Sequence, residues 1–151
     1  MQLRPDEKWT KVSTGERDTL EIGRRLALDL RKGDRVGISG PLGSGKTVLV
    51  RGICEGLGVP SLDISSPTFA IVNTYAGRVP VLHVDLYRVE SLEEVEATGM
   101  LDLADDAITL IEWIDRVLEL AEPGMLLIEI EDLGGQRRRL VSRRETVLPR
   151  G

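Results

Sequence analysis

Residues 35–47 read RVGISGPLGSGKT. The first five, Arg35–Ser39, are β-branched and apolar at alternate positions and predict a short strand. The next eight, Gly40-Pro41-Leu42-Gly43-Ser44-Gly45-Lys46-Thr47, meet the pattern G-x-x-x-x-G-K-[ST] at every fixed position. Glycines there let backbone N–H groups close around phosphate oxygens without Cβ clashes. A following helix aims its first amides and its dipole at the same anion. The spacing predicts that Lys46 reaches the β- and γ-phosphates and that the Thr47 hydroxyl ligates Mg²⁺. At ordinary glycine usage such a match arises by chance on the order of 1% of the time in a chain of this length. It is somewhat less rare here, with 16 glycines.

Working outward, the helix begun at the loop runs to about Glu55, and Gly56 and Gly58 end it. Upstream, Ser13-Thr14-Gly15-Glu16 fits a capping box with Ser13 as N-cap and Glu16 at its third helical position. Leu20, Gly23, Ala27 and Leu30 recur behind it at helical spacing, and Lys32-Gly33 predicts the helix end. Downstream, residues 61–67 read as a loop. Residues 69–75 and 79–84 are apolar strands joined by Ala76-Gly77-Arg78. Residues 92–97 and 101–106 are short acidic helical pieces. Residues 108–111 and 125–130 are buried strands, Gly134-Gly135 is a turn, and residues 138–141 pair back as an edge strand. Strands and helices alternate, so the class is α/β, and the adjacent strand pairs call for a mixed sheet flanked by helices. The expected organisation is one P-loop NTPase-like domain over 1–151, with the arginine-rich segment from about 137 an edge strand or tail.

The chain has 151 residues, net charge −5, one cysteine and one histidine. One cysteine excludes an intramolecular disulfide framework, and one cysteine with one histidine argues against a Cys/His zinc cluster. No apolar stretch is long enough to span a membrane, and the first residues, MQLRPDEKWT, lack the apolar core of a secretory signal. A cytoplasmic location is the expectation. Charge is uneven: residues 89–115 hold nine acids and no Lys or Arg, whereas residues 137–144 hold five arginines. With that net charge, autonomous nucleic-acid binding is not expected. The arginine cluster has phosphates, a partner's acids or the nucleotide as candidate ligands, and an edge strand blunted by charge is the alternative.

A P-loop needs a second acid for Mg²⁺ at the end of another apolar strand. Asp85 ends VPVLHVD, residues 79–85. An aspartate capping the next turn is the competing reading, and a contact through water is also compatible. Glu112 ends the strand at 108–111, as a carboxylate that orients or activates water or as a salt-bridged or solvated strand end. Thr68, in Ser65-Ser66-Pro67-Thr68, offers a hydroxyl to a γ-phosphate or a metal water as a switch loop does, or simply makes a Pro-Thr turn. His83 shares a strand face with Asp85 but is as well explained as a structural histidine, and it is assigned no chemistry. Cys54 is read as packing. No Asn-Lys-x-Asp segment for guanine occurs, which favours ATP/ADP over guanine nucleotides.

These residues together resemble the TsaE (YjeE) family of small bacterial P-loop ATPases. The matches run in order through residues 40–52, Ser66-Pro67-Thr68-Phe69, Val72-Asn73-Thr74-Tyr75, His83-Val84-Asp85-Leu86-Tyr87-Arg88 and Ile111-Glu112-Trp113. They span about residues 13–113. The resemblance implies a mixed-sheet P-loop fold, ATP and Mg²⁺ binding and weak intrinsic ATPase activity. It also implies work beside TsaD and TsaB. In that system TsaD transfers a threonylcarbamoyl group to adenosine 37 of tRNAs reading ANN codons, and the TsaE-like subunit supports or resets the assembly. tRNA is then met only through the complex. Carried over by position, Gly40, Gly43, Ser44, Gly45, Lys46, Thr47 and Val48 hold the nucleotide phosphates. Thr68 lies in a switch-like loop, Asp85 is the Walker B acid, Glu112 is a metal-site or catalytic carboxylate, and Trp113 lies near the nucleotide. Glu16 is a candidate for the adenine or ribose end, although the capping box alone would explain it. Pro41 and Ser44 depart from the family's usual residues, and neither removes a carboxylate. A small-molecule P-loop kinase and a non-catalytic nucleotide-dependent module are the competing functions.

Overall fold

The computed structural model describes residues 8–64 and 70–144. Its frame is a seven-stranded sheet: β1 (Trp9–Ser13), β2 (Arg35–Ser39), β3 (Val72–Ala76), β4 (Pro80–Asp85), β5 (Ile108–Glu112), β6 (Leu126–Gly134) and β7 (Arg137–Arg144). Across the sheet the order is β1-β7-β6-β2-β5-β4-β3. The four central strands, β6, β2, β5 and β4, run parallel. Antiparallel partners finish both sides: β3 on β4, then β7 on β6 and β1 on β7. This is the mixed α/β sheet that the sequence calls for.

The parallel strands read as apolar runs because both faces are covered; all five residues of β5 are buried. One core takes α1 (Glu16–Ala27) and α2 (Lys46–Gly56), with Leu26, Leu49 and Ile53 against Val36, Ile38, Leu110 and Ile128. The opposite face takes Leu82, Val84 and Ile111 against Val95, Met100, Ile114, Val117 and Leu120. Those residues come from α3 (Leu92–Glu96), α4 (Met100–Leu103) and short 3₁₀ turns. Gly37 in β2 is where Ile114 sits down on the sheet: a Cβ there would lie 2.9 Å from Ile114 Cγ1. The two long helices meet through glycines in the same way. A Cβ on Gly23 would lie 2.7 Å from the Leu49 carbonyl oxygen, and one on Gly52 would run into that of Leu20.

Several boundaries move. Ser13 is the last residue of β1, and Gly15 is the N-cap of α1 with no side-chain cap bond. The reciprocal bond expected of Glu16 is made by Asp18, whose carboxylate accepts from the Thr14 N–H at 2.9 Å and the Thr14 hydroxyl at 2.6 Å. The Ser13 hydroxyl instead meets Thr19 Oγ1 at 2.7 Å. Helix α1 stops at Ala27 because Arg78 intervenes. Its guanidinium donates to the Ala27 and Leu30 carbonyls at 2.6 and 3.0 Å, which closes the C-terminus early. The arginine-rich segment is an inner strand, not an edge or a tail: β1 hydrogen-bonds along its outer side, pairing Thr10 with Val141 and Val12 with Arg139. The five-residue run WTKVS forms that edge. No described helix is long and apolar enough to cross a membrane.

Candidate functional site

The loop between β2 and α2 sits at the carboxyl ends of the parallel strands, where an open α/β sheet offers its binding crevice. Gly43 and Gly45 take positive φ, 77° and 103°, and nothing lies within 4 Å of where a Cβ would be. Gly45 is also the N-cap of α2, so the first helical residues are Lys46 and Thr47. Gly40 is required for a different reason: a Cβ there would come 2.8 Å from the Ile130 carbonyl oxygen. Two clefts flank the loop. One, of ≈ 360 Å³, is lined by Lys46, Thr47, Asp85, Tyr87, Glu112 and Trp113 among others. The other, of ≈ 380 Å³, is lined by Thr19, Ser44, Val48, Gln136 and Arg138 among others. Glu16 borders both, a position the capping geometry does not explain.

Lys46 is 5% exposed. Its Nζ donates to the carbonyls of Gly40 at 2.7 Å and Pro41 at 2.9 Å, and stands 3.8 Å from the centre of the Trp113 ring. Burial pulls the ammonium below its ordinary pKa, opposed by the charges of Glu112, Asp115 and Asp85. Trp113 is the one non-glycine residue with positive φ among those described, at 62°. Such a backbone costs energy for a bulky residue and gathers at functional sites. It turns the indole over Lys46 and against Tyr87, whose ring centre is 4.8 Å away.

The register aligns Asp85 with Glu112 and Glu112 with Ile38, so both carboxylates end adjacent strands beside the loop. Glu112 is 2% exposed. The Thr47 hydroxyl donates to its Oε1 at 2.9 Å, and His83 Nε2 lies 2.6 Å from its Oε2. Asp85 Oδ1 accepts from the Tyr87 N–H at 2.9 Å. Burial raises the Asp85 carboxyl above the usual carboxylate range, and neighbouring Glu112 raises it further, against the lowering effect of that hydrogen bond.

The structure therefore brings Lys46, Thr47, Asp85, Glu112 and Trp113 around one cleft, with Gly40, Gly43, Ser44, Gly45 and Val48 in or beside the loop. Thr68 lies outside the described residues, as do its neighbours 65–69. Two residues gain partners that sequence reasoning did not assign to them. His83, given no chemistry, is fully buried and in direct contact with Glu112. Its shared face with Asp85 was legible, but the carboxylate it touches is 29 positions away. Arg138 leaves the basic cluster and donates to the carbonyls of Ser44 at 3.2 Å and Gly43 at 3.3 Å, while its Nη1 meets Asp132 at 3.1 Å. Arg139 pairs with Glu131 at 3.0 Å. The five arginines are thus not one uniform basic face.

The donor chemistry fits a magnesium nucleotide. Ser44 Oγ is buried in the loop with no hydrogen-bond partner, a polar atom turned into a glycine cradle. No three His, Cys, Asp or Glu among the described residues form an all-protein metal cage. A hydroxyl with one or two carboxylates, completed by phosphate oxygens, is how Mg²⁺ is ordinarily held.

A strand–glycine loop–helix unit on a mixed sheet, with two acids at adjacent strand ends, defines a P-loop NTPase-like α/β protein. Residues 13–140 match the family described as Threonylcarbamoyl adenosine biosynthesis protein TsaE. The chain belongs to the TsaE family. It is 43% identical over 112 residues to the "tRNA threonylcarbamoyladenosine biosynthesis protein TsaE" of Streptomyces coelicolor, covering 71% of this chain and 75% of that one. The protein of the same name from Rickettsia conorii is 33% identical over 124 residues, covering 82% and 71%. The crystal structure of YdiB, titled as from "Bacillus subtilus", superposes with a TM-score of 0.71 at 26% identity, covering 92% of this chain and 86% of that one.

Proposed function

We propose that this protein is a weak Mg²⁺-dependent ATPase that acts as an accessory in threonylcarbamoylation of adenosine 37 in tRNAs reading ANN codons, beside TsaB and TsaD. The observation that carries the ATPase reading is the meeting of Thr47, Glu112, Asp85 and Lys46 at one cleft beside an open glycine loop. The pathway reading is supported by membership of a family whose relatives bear that pathway's name.

In this reading the loop amides, Ser44 and Lys46 hold the phosphates. Lys46 leaves the Gly40 and Pro41 carbonyls to meet the charge developing on the γ-phosphoryl group. Thr47, Asp85 and Glu112 form the Mg²⁺ side, and Glu112 or a partner's group positions the attacking water for in-line displacement. Bound there, Mg²⁺ neutralises phosphate-oxygen charge. The nucleoside end extends toward Glu16 and the second cleft. Nothing in these residues transfers the threonylcarbamoyl group.

The test is ATP turnover by the purified chain with Mg²⁺, alone and with a TsaB–TsaD pair. Low turnover alone, increased by the pair and abolished in Lys46→Ala, is the expected result. Turnover that the pair leaves unchanged counts against the partner role, and a phosphorylated metabolite in place of free phosphate points to a kinase.

A further inference from the structure

Glu112 is also held from its buried side. Its Oε1 accepts from the Thr47 hydroxyl, on the cleft side. Its Oε2 meets His83 Nε2 at 2.6 Å, both side chains being buried. Behind the imidazole, Tyr75 Oη lies 3.3 Å from Nδ1. Asn73 Nδ2 in turn donates to Tyr75 Oη at 3.4 Å. Three strands supply this chain: Asn73 and Tyr75 on β3, His83 on β4, Glu112 on β5. The antiparallel register sets Asn73 opposite His83, and the parallel register sets His83 beside Leu110, two residues before Glu112.

A carboxylate only accepts, so the hydrogen bond to ionised Glu112 is donated by Nε2–H, while the Tyr75 hydroxyl, able to donate or accept, meets Nδ1 from behind. A glutamate has three side-chain torsions, and a carboxylate bonded at both oxygens is held against rotation about them. Partners behind a working carboxylate or ligand typically set its orientation and basicity.

We propose that His83, backed by Tyr75, is a positioning residue that locks the Glu112 carboxylate in the orientation needed for Mg²⁺-dependent hydrolysis. It touches neither nucleotide nor metal and acts only through Glu112. The inference rests on the reading of Glu112 as a working carboxylate of an ATP site.

Because His83 is the chain's one histidine, its ring signals in ¹H–¹⁵N spectra need no assignment. In the ligand-free protein we expect an Nε2-bound proton, protected from exchange, whose resonance moves upfield in Glu112→Gln. In Mg²⁺ titrations of ADP binding and of turnover, His83→Leu should lose about 10–100-fold in Mg²⁺ affinity or kcat with KM for ATP nearly unchanged. His83→Gln places an amide N–H where Nε2 stood and should recover most of that loss, with Tyr75→Phe in between. Equal losses in the Leu and Gln variants, a Leu variant that behaves as wild type, or a ring proton indifferent to Glu112→Gln would each overturn the proposal. If the Leu variant does not fold, the Gln variant and the ring proton still decide it. Failure of the underlying reading looks different: the wild-type chain then binds no magnesium nucleotide at all. Wild-type turnover that Glu112→Gln abolishes and His83→Leu spares removes only the role given to His83.

Discussion

Lys46 has spent its hydrogen bonds before any phosphate arrives. Two carbonyls and an indole face surround the ammonium, and burial already pushes it toward losing its proton. An anion therefore binds by exchange: the phosphate takes over donors now given to Gly40 and Pro41. A cation over an indole at such a site is worth about 0.5–2 kcal/mol, small against a phosphate contact. Trp113 should report that exchange. In a Trp9→Phe background, which leaves one indole, ADP with Mg²⁺ should shift the tryptophan emission, and an unchanged spectrum would argue that Lys46 does not move. Asp85 makes the complementary case for strain at a working site. Its carboxyl is raised by burial and by Glu112, so the folded protein binds a proton there more tightly than the unfolded chain does. The resulting penalty is present above the raised pKa and disappears as pH falls below the ordinary carboxylate value. Asp85→Asn should raise the melting temperature of the ligand-free protein at neutral pH, with the gain gone in acid, while Mg²⁺-dependent turnover falls. A neutral-pH melting point that drops instead would show Asp85 to be a stabilising turn cap.

The two long helices are joined at backbone distance. Gly23 and Gly52 leave no room for a methyl group, and the contact sets where the N-terminus of α2 points Lys46 and Thr47. Gly52→Ala should cost about 1–3 kcal/mol by overpacking, read as a lowered urea midpoint at unchanged m. It should also weaken ADP binding, since α2 cannot retreat without moving the loop. These elements were legible in the sequence because their signals are local: RVGIS, the glycine loop and the helical spacing after Gly15 all lie within a few turns of chain. The misreadings have one common cause. Ser13 looks like an N-cap until β1 claims it, and β1 exists only because Arg137–Arg144 lies alongside it. WTKVS is too short to announce itself as a strand when its partner is more than a hundred residues away. Likewise Lys32-Gly33 marks a sensible helix end, but Arg78 ends the helix sooner from another element. The site followed the same pattern: Lys46, Thr47, Asp85 and Glu112 were found from motif and strand ends, whereas His83 and Arg138 acquire meaning only across strands.

At the scale of the whole molecule, the sheet gathers parallel strand ends on one side of the P-loop and brings β7 to the other. Arg138 reaches from β7 to the carbonyls of Gly43 and Ser44; the Gly45 N–H, antiparallel to the Ser44 carbonyl across their peptide bond, points away from the guanidinium, while the Ser44 N–H donates to the Pro41 carbonyl at 3.1 Å. The guanidinium's charge-assisted bonds are stronger than neutral ones. Arg138→Ala should raise KM for ATP about tenfold, equivalent to roughly 1.4 kcal/mol, with a smaller effect on kcat. Arg138→Lys, which keeps charge but loses the fork, should recover only part. Arg137 and Arg143, both exposed, are the proper probes of a basic partner surface: replacing them together should leave ATP binding intact, and loss of TsaB–TsaD stimulation in that variant would locate the contact. Removing all the arginines at once would confuse the two effects.

The reach of Arg138 also carries a consequence for synthesis. The ribosome makes the phosphate loop 94 residues before the arginine that steadies its carbonyls, and β1, made first of all the described strands, waits for β7 as its only neighbour. A nascent chain stalled before β7 therefore owns every residue of the P-loop without the brace behind it. Nucleotide binding should tighten late, when β7 slides between β6 and the waiting N-terminal edge.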